Sequence, residues 1–234
     1  MCVVHETADE LLVVKPTGLP CETPRDPRAD SVLARLAEAG ATGLRLVHRL
    51  DAAACGLVLV ARTPAAAAFH AAQIAARRWR KWYVARVAMP PVAAQALVGP
   101  HRAYLKTDGR LARVVRAGGK PSFLDVLAAT PVPGSAADSH VLIALHTGRY
   151  HQIRVMLAAL DAPLRGDTRY GGPPGPFVLE HVVLGATPYQ SDAWTVWQAP
   201  VHPDRAAWDP ALAAAVDAVA ARARTAPPPL APAP

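Results

Sequence analysis

The feature that most constrains the fold is an apolar strand preceded by a polar loop. Residues 57–61 (LVLVA) form an uninterrupted apolar run, which is typical of a strand covered on both faces. Just before it, residues 46–51 (LVHRLD) bring a histidine, an arginine and Asp51 onto a loop. Gly56 permits a tight turn between the two. The sequence therefore predicts a carboxylate held beside a core strand.

A second polar segment lies far along the chain. Residues 147–154 (TGRYHQIR) lead into a helix that we predict to begin at about Tyr150, because apolar residues recur at helical spacing after it. Arg154 follows His151 by one helical turn, on a face apart from the apolar stripe, and we expect that it need not be buried. An Asp51–Arg154 pair would keep the carboxylate ionised and oriented. A purely structural ion pair is the other interpretation.

A predicted strand over residues 82–89 carries the third candidate group. Alternation along residues 81–87 (KWYVARV) puts Lys81, Tyr83 and Ala85 on one face. A tyrosine beside a lysine can stack on a nucleic-acid base while its hydroxyl reaches a polar group. The alternative interpretation is a core aromatic whose hydroxyl is hydrogen-bonded inside the protein.

The charge balance favours a polyanionic partner. The formal net charge is +7, and only four of the 25 basic residues are lysine. Arginine binds phosphate with two hydrogen bonds and stacks on bases, so arginines near the two polar segments predict RNA as partner. High-GC codon usage is the alternative explanation of the arginine excess.

Several classes of protein are disfavoured. The sequence has no apolar run long enough to span a membrane and no basic-then-apolar start typical of a secretory signal. The three cysteines form no CxxC pair, and the histidines form no HxxxH or HExxH motif. We therefore expect a cytoplasmic protein without disulfides, metal or membrane association, and a monomer.

Strands and helices are mixed without strict βαβ alternation, so we predict the α+β class, with a mixed, mainly antiparallel sheet of about eight strands flanked by helices. The predicted helices cover 32–39 (capped by Ser31), Pro64 to about Arg80 (capped by Thr63), the segment from Tyr150, and 210–224. The predicted strands are 11–14, 57–61, 82–89, 110–117, 122–129, 141–145, 177–184 and 195–198.

The predicted organisation is one domain over residues 1–208, made of two halves around a central cleft. A C-terminal helix over 209–224 and a disordered, proline-rich tail over 225–234 would follow it.

Five motifs, in order, resemble the RluA family of pseudouridine synthases. Residues 48–51 (HRLD) with 56–61 (GLVLVA) resemble its signature, and residues 15–19 (KPTGL) resemble its KPxGL loop. The other three matches are residues 81–85 (KWYVA) to KxYxA, 147–154 to TGRTHQIR, and 163–171 (PLRGDTRYG) to PIxGDxxYG. Together the motifs extend over about residues 8–200.

The resemblance implies a pseudouridine-synthase fold and isomerisation of a flipped-out uridine in ribosomal or transfer RNA, without cofactor or metal. It implies that Asp51 is the catalytic carboxylate, that Tyr83 stacks on the uracil and that Arg154 pairs with Asp51. Arg49 would help to hold the flipped nucleotide. The residues expected to contact RNA are Arg49, His48, Lys81, Arg149, His151, Gln152 and Arg78.

The chain departs from the family pattern at several positions. Ala54-Cys55 stands where Thr-Ser is common, Tyr150 replaces a threonine and Met156 a common histidine, and residues 179–181 (LEH) stand where Leu-His-Ala is common. The three catalytic candidates are retained, whereas the RNA target stays open.

Two other functions compete. A non-catalytic RNA-binding or RNA-folding protein on the same fold would use Arg77, Arg78, Arg80 and Arg149 and would not need Asp51. A hydrolase with a carboxylate pair would need a second acid within a motif; Asp125, Asp161 and Asp167 are instead interpreted as strand or turn residues.

Overall fold

The structure is a computed structural model that describes residues 1–22, 30–200 and 208–226. The chain forms two compact units. The first comprises residues 1–80, 181–200 and the C-terminal part from Ala220, and the second comprises residues 81–180 and 201–219. The predicted tail from residue 227 onward and the segment 201–207 before the predicted C-terminal helix lie outside the described residues. The single-domain assignment stays a prediction.

The first unit contains four strands from the N-terminal part of the chain and two from its C-terminal part. They are β1 (Cys2–Glu6), β2 (Glu10–Lys15), β3 (Arg45–Leu46), β4 (Cys55–Ala61), β10 (Leu179–Ala186, from His181 onward) and β11 (Thr195–Gln198). β4 lies between β2 and β10, β1 flanks β2, β11 pairs with β10, and β3 pairs with β4. The register between β2 and β4 runs antiparallel from Glu10 opposite Ala61 to Lys15 opposite Gly56.

The core of this unit forms around the predicted central strand. Residues 57–61 are completely buried, as the apolar run predicts. Leu57 and Leu59 pack with Leu12, Trp79 and Trp197 in one cluster. The polar loop before β4 is therefore attached to the most buried part of the unit.

Two helices of this unit begin at the predicted caps. Ser31 Oγ accepts a hydrogen bond from Ala34 N–H (3.0 Å) at the start of α1 (Val32–Glu38). Thr63 Oγ1 accepts one from Ala66 N–H (3.2 Å) at the start of α2 (Pro64–Ala75). Each side chain satisfies a backbone donor that the first helical turn leaves open.

The end of α2 was predicted wrongly. The helix ends at Ala75 and not near Arg80, because Arg77 has a φ of +56° and reverses the chain. This reversal carries Trp79 into the core, where it is 5% exposed, and β5 begins at Arg80. Burial of the indole outweighs one more turn of a surface helix.

The second unit is built on an antiparallel sheet with the strand order β5-β9-β8-β6-β7. Its strands are β5 (Arg80–Val87, in this unit from Lys81), β6 (Gly99–Asp108), β7 (Leu111–Val115), β8 (Lys120–Val132) and β9 (Ser135–Leu145). Its helices are α3 (Pro91–Ala94) and α4 (Gln152–Ala158). Helix α5 (Pro210–Thr225) passes from the second unit into the first at Ala220.

The predicted class is confirmed, but the number of strands is not. The described residues contain eleven strands, because β1, β3 and β6 escaped prediction. Residues 99–108 (GPHRAYLKTD) show no apolar alternation, so their polar composition hid a strand. As a consequence, β7 and β8 do not pair with each other across the turn at 118–119; each pairs with β6.

None of the helices within the described ranges is long and apolar enough to cross a membrane.

Candidate active site

The loop that carries Asp51 is fixed through its backbone. Ala54 N–H donates to the Asp51 carbonyl (3.0 Å), and Gly18 N–H donates to the next carbonyl, that of Ala52 (2.8 Å). Lys15 Nζ donates to the same Ala52 carbonyl (3.0 Å). Asp51 itself is partly exposed. The carboxylate is thus presented by a loop that three separate contacts hold.

Lys15 is a site residue that our sequence analysis missed. Its side chain is completely buried, and its ammonium donates to the carbonyls of Pro16 (3.0 Å), Leu19 (2.7 Å) and Ala52 (3.0 Å). These bonds use all three donors of the group. Burial lowers the pKa of Lys15, whereas two nearby thiols and Asp51 oppose that change. The only signal in the sequence was its place in the KPTGL motif.

Cys21 attaches a different part of the same loop. Its thiol donates to the Leu50 carbonyl (3.4 Å), and Leu50 N–H approaches the sulfur at 3.3 Å. Both residues are buried, so the residue directly before Asp51 is fixed in the core.

His48 is bound to the central strand. Its Nε2 accepts a hydrogen bond from Leu59 N–H (3.0 Å), so the ring is neutral and its proton is on Nδ1. The ring lies edge-on to Trp79 (5.1 Å between centroids) and to His181 (5.9 Å). One ring nitrogen therefore serves to hold the loop, and the expected RNA contact of His48 stays a prediction.

Arg49 is the most exposed of the predicted residues on this loop. Its side chain is 65% exposed, and its guanidinium is 3.9 Å from the Glu22 carboxylate. An exposed pair of this kind contributes little stability, so the guanidinium can exchange this carboxylate for a phosphate at small cost.

In the second unit, Arg154 is bound by Asp167. Arg154 Nε donates to Asp167 Oδ2 (2.6 Å) and Nη2 donates to Oδ1 (2.7 Å). The rings of Tyr170 and Phe177 lie 5.1 and 5.7 Å from the guanidinium carbon. Both charged side chains are buried, so the expectation that Arg154 need not be buried was wrong. The predicted pairing of Arg154 with Asp51 stays a prediction.

Asp167 is a second residue whose importance the sequence analysis missed. It does lie in a turn, as predicted, directly before a short 3₁₀ helix. It is also 3% exposed and forms both hydrogen bonds of a bidentate pair. The only signal in the sequence was its place in the GDTRYG motif. Its burial, which requires a partner for the charge, is visible only in the structure.

Gln152 and its neighbours define the loop before α4. Gln152 Oε1 accepts from the Thr147 hydroxyl (2.8 Å) and from Arg149 N–H (3.0 Å), and its Nε2 donates to the Phe123 carbonyl (3.0 Å). Gln152 is buried. Its polar atoms are thus engaged within the protein, and an RNA contact through them stays a prediction.

His151 is held among aromatic groups at the start of α4. It has a φ of +53° and is 7% exposed. Its ring stacks on Tyr150 (3.8 Å between centroids), and its Nδ1 is 2.8 Å from the Tyr170 hydroxyl, which also accepts from Ala112 N–H (2.9 Å). Burial raises the pKa of Tyr170.

Lys81 and Tyr83 lie at alternate positions of β5 and so share one face. Tyr83 is 5% exposed, and Lys81 is partly exposed. Burial lowers the pKa of Lys81 to about 8. Two other expected RNA contacts lie nearer to solvent: Arg78 is exposed, and Arg149 is partly exposed with Nε 3.4 Å from the Pro121 carbonyl.

Comparison with known proteins decides the family. A family model described as RNA pseudouridylate synthase matches residues 9–159. The chain belongs to the RNA pseudouridylate synthase family. It is therefore an isomerase that forms pseudouridine in RNA, and the resemblance to the RluA family is confirmed.

Curated relatives agree with this assignment to the RNA pseudouridylate synthases. The dual-specificity RNA pseudouridine synthase RluA of Escherichia coli K12 is 34% identical over 189 residues, which is 80% of this chain and 84% of the relative. RluA of Salmonella typhimurium LT2 is 32% identical over 74% of this chain and 78% of its own length.

Two human structures share the fold. Human RNA pseudouridylate synthase domain containing 4 superposes with a TM-score of 0.66 at 18% identity, over 86% of this chain and 89% of that one. Human RNA pseudouridylate synthase domain containing 1 gives 0.65 at 23% identity, over 92% and 94%.

Within the described part of this RNA pseudouridylate synthase, no cluster of three or more His, Cys, Asp or Glu side chains is placed to hold a metal ion.

Proposed function

We propose that this synthase isomerises a uridine of structured RNA, ribosomal or transfer, after flipping the base out of its stack, and that Asp51 is the essential carboxylate. The observation that carries the proposal is the anchored loop around Asp51. Lys15 and Cys21 bind backbone carbonyls of the loop, and the His48 ring attaches the loop to β4 by accepting from Leu59 N–H, while Asp51 itself remains partly exposed. A carboxylate held in this way is oriented for reaction before the substrate arrives.

The chemistry requires one base to leave and return. The bond between C1′ and N1 opens, and its electron pair passes to the pyrimidine. The ring then turns, C5 bonds to C1′, the C5 proton is lost and N1 gains a proton. Asp51 would act by attacking the sugar or the base or by removing a sugar proton, with Tyr83 stacked on the uracil and Arg154 as its cationic partner.

Base flipping is required because the enzyme cannot reach a uridine that is stacked within an RNA helix. A stacked base presents neither its glycosidic bond nor its ring face to a protein side chain, so the target must be extruded at a cost of about a few kcal/mol. The exposed guanidinium of Arg49, two residues before Asp51, is suited to hold the displaced nucleotide.

Charged side chains on the second unit support a structured RNA as substrate. Arg102, Tyr104 and Lys106 are exposed at alternate positions of β6. Arg113 lies opposite Lys106 on β7 and forms an exposed ion pair with Asp108. A face with several cations and an exposed aromatic ring binds phosphates and bases.

The substrate class is proposed from the relatives. The similar RluA proteins are named dual-specificity RNA pseudouridine synthases. We therefore propose ribosomal and transfer RNA as the two candidate substrates. Mapping pseudouridines in total RNA from cells with and without the gene would identify the target uridines.

The decisive variant is Asp51→Asn, which keeps the shape of the side chain and removes its charge. We expect it to abolish pseudouridine formation in single-turnover assays and to leave the Kd for RNA nearly unchanged. Asp161→Asn, at an exposed turn position of the second unit, is the matched control and should retain full activity. An equal loss of activity and affinity in Asp51→Asn would instead favour an RNA-binding protein.

A further inference from the structure

One partly buried lysine of the second unit has no described partner for its ammonium group. Lys81 lies on β5, two positions before Tyr83 and on the same face of the strand. Among the residues that the structure describes, none accepts a hydrogen bond from its Nζ or pairs with its charge. A lysine ammonium of low exposure is usually paired, so solvent or a bound substrate, outside this set of residues, is its natural partner.

The loop before α4 leaves room at this amine. A Cβ atom added to Gly148 would lie 3.3 Å from Lys81 Nζ, a close contact that glycine avoids. The ammonium therefore lies against backbone at the start of the TGRYHQIR segment. A side chain at residue 148 would compete with any ligand group for that space.

The charged and titratable groups around Lys81 do not neutralise its positive charge. On β5 the neighbouring titratable group is Tyr83. Directly after β9, His146 Nε2 lies 2.8 Å from Asp125 Oδ2 and is engaged by that carboxylate. The loop that follows contains Arg149. The segment just before β10 adjoins β5 through a bond from Arg86 N–H to the Val178 carbonyl (3.1 Å), and the second position of β10 is Glu180. Burial alone lowers the pKa of Lys81 to about 8.

We propose that Lys81 is a further catalytic residue, whose ammonium donates a hydrogen bond to a carbonyl oxygen of the uracil while that ring carries negative charge. The proposal rests on the proposed function. When the bond from C1′ to N1 opens, the electron pair spreads from N1 to the carbonyl oxygens O2 and O4. A cation of low solvent exposure stabilises such a developing anion far more strongly than one in bulk water.

The position of Lys81 favours this role over a phosphate contact. Cations that bind the RNA backbone lie at the surface, as Arg49 and Arg78 do. Lys81 is instead partly buried on the same strand face as the tyrosine that we assign to the uracil. The ammonium only donates a hydrogen bond and keeps its proton throughout. Its role therefore adds no acid, base or oxidant to the isomerisation.

The experiment compares Lys81→Met and Lys81→Arg with wild type in single-turnover and steady-state assays. We expect Lys81→Met to lower the single-turnover rate by about 100-fold, as loss of one donor to a developing anion does elsewhere. Its Kd for RNA should change by less than about twofold, because the contact forms mainly as charge develops. Lys120→Met, at an exposed lysine of β8, is the matched control and should behave as wild type.

The pH profile separates charge from shape. If the ammonium is required, kcat/KM of wild type falls as pH rises through about 8, by about tenfold between pH 7 and pH 9. Lys81→Arg has a guanidinium that stays charged, so its rate, although lower, should lack this fall. Thermal unfolding followed by circular dichroism checks that each variant is folded.

Three outcomes would overturn the proposal. They are full activity in folded Lys81→Met, a weaker Kd with an unchanged single-turnover rate, and the same fall with pH in wild type and Lys81→Arg. Wild type that forms no pseudouridine in ribosomal or transfer RNA would instead overturn the proposed function. The two failures are therefore distinguishable.

Discussion

Gly56, at the start of the central strand, should be among the positions least tolerant of any side chain. Its φ is +105°, a conformation that side chains other than hydrogen rarely adopt. A Cβ atom there would lie 2.3 Å from the carbonyl oxygen of His181 and 2.6 Å from its nitrogen. The clash is with backbone of β10, so no side-chain rotation relieves it.

The expected cost of Gly56→Ala has two parts. The unfavourable backbone conformation costs about 1–3 kcal/mol. Forcing one extra carbon into a packed interior costs about 1–3 kcal/mol more. His181 cannot move freely, because it is completely buried and its Nδ1 is 2.7 Å from the Leu57 carbonyl. The substitution should therefore lower the free energy of unfolding by about 2–6 kcal/mol, a large part of the stability of a typical domain.

Urea denaturation followed by circular dichroism measures this loss, and Gly118→Ala is the matched control. Gly118 has a φ of +71°, but a Cβ there meets nothing within 4 Å. Only the conformational part applies, so a loss of about 1–2 kcal/mol is expected. Equal losses in the two variants would refute the contact argument. A larger loss in Gly56→Ala, with slower isomerisation, would show that β4 sets the position of the Asp51 loop.

Three further predictions concern charge. Asp167→Asn should lower the free energy of unfolding by about 3–5 kcal/mol, since it deprives a buried Arg154 of its bidentate carboxylate; denaturant unfolding measures this, with Asp161→Asn as an exposed control. Burial raises the pKa of Glu10, but its buried histidine partner and a backbone N–H outweigh this and hold it below its ordinary value. Stability should therefore fall as pH drops below about 4.5, and unfolding midpoints of Glu10→Gln should vary less over that range. Arg78→Ala should weaken RNA binding more at low than at high salt, as a phosphate contact does; a salt-independent loss in titrations would contradict that role.

Much of the fold could be predicted because local signals were strong. The apolar run of β4, the caps Ser31 and Thr63, and the strand Thr195–Gln198 were all recovered from residue type and spacing. The helix Pro210–Thr225 extends one residue beyond its prediction. In each case the residues that define the element also stabilise it.

The missed elements depend on partners distant in sequence. The strand β6 has charged residues on its exposed face and is held by hydrogen bonds to β7 and β8, so its own residues show no periodic apolar signal. The end of α2 was missed because the burial of Trp79 in the core decides it, and helix-end signals do not report a tertiary contact.

The residues of the candidate site could be selected from the sequence, but their contacts could not, and their catalytic roles stay predictions. Motif spacing brought attention to Asp51, Tyr83 and Arg154, whereas Lys15 and Asp167 looked like ordinary loop and turn residues. Their importance arises from complete or nearly complete burial, which depends on how the chain folds over them.

The anchoring groups of the site share a physical property with consequences for function. Lys15, Gln152 and Asp167 are buried polar side chains whose hydrogen bonds go to backbone carbonyls and amides, to the Thr147 hydroxyl or to a single guanidinium. Burial of such groups is favourable only when those bonds form, so alternative conformations of the loops leave polar atoms unsatisfied and are rare. The same bonds that stabilise each unit therefore reduce the conformational freedom of the loops that carry the candidate catalytic residues. For this reason, conservative changes at Lys15 or Gln152 should slow isomerisation by displacing these loops, with smaller effects on the initial binding of RNA through surface cations.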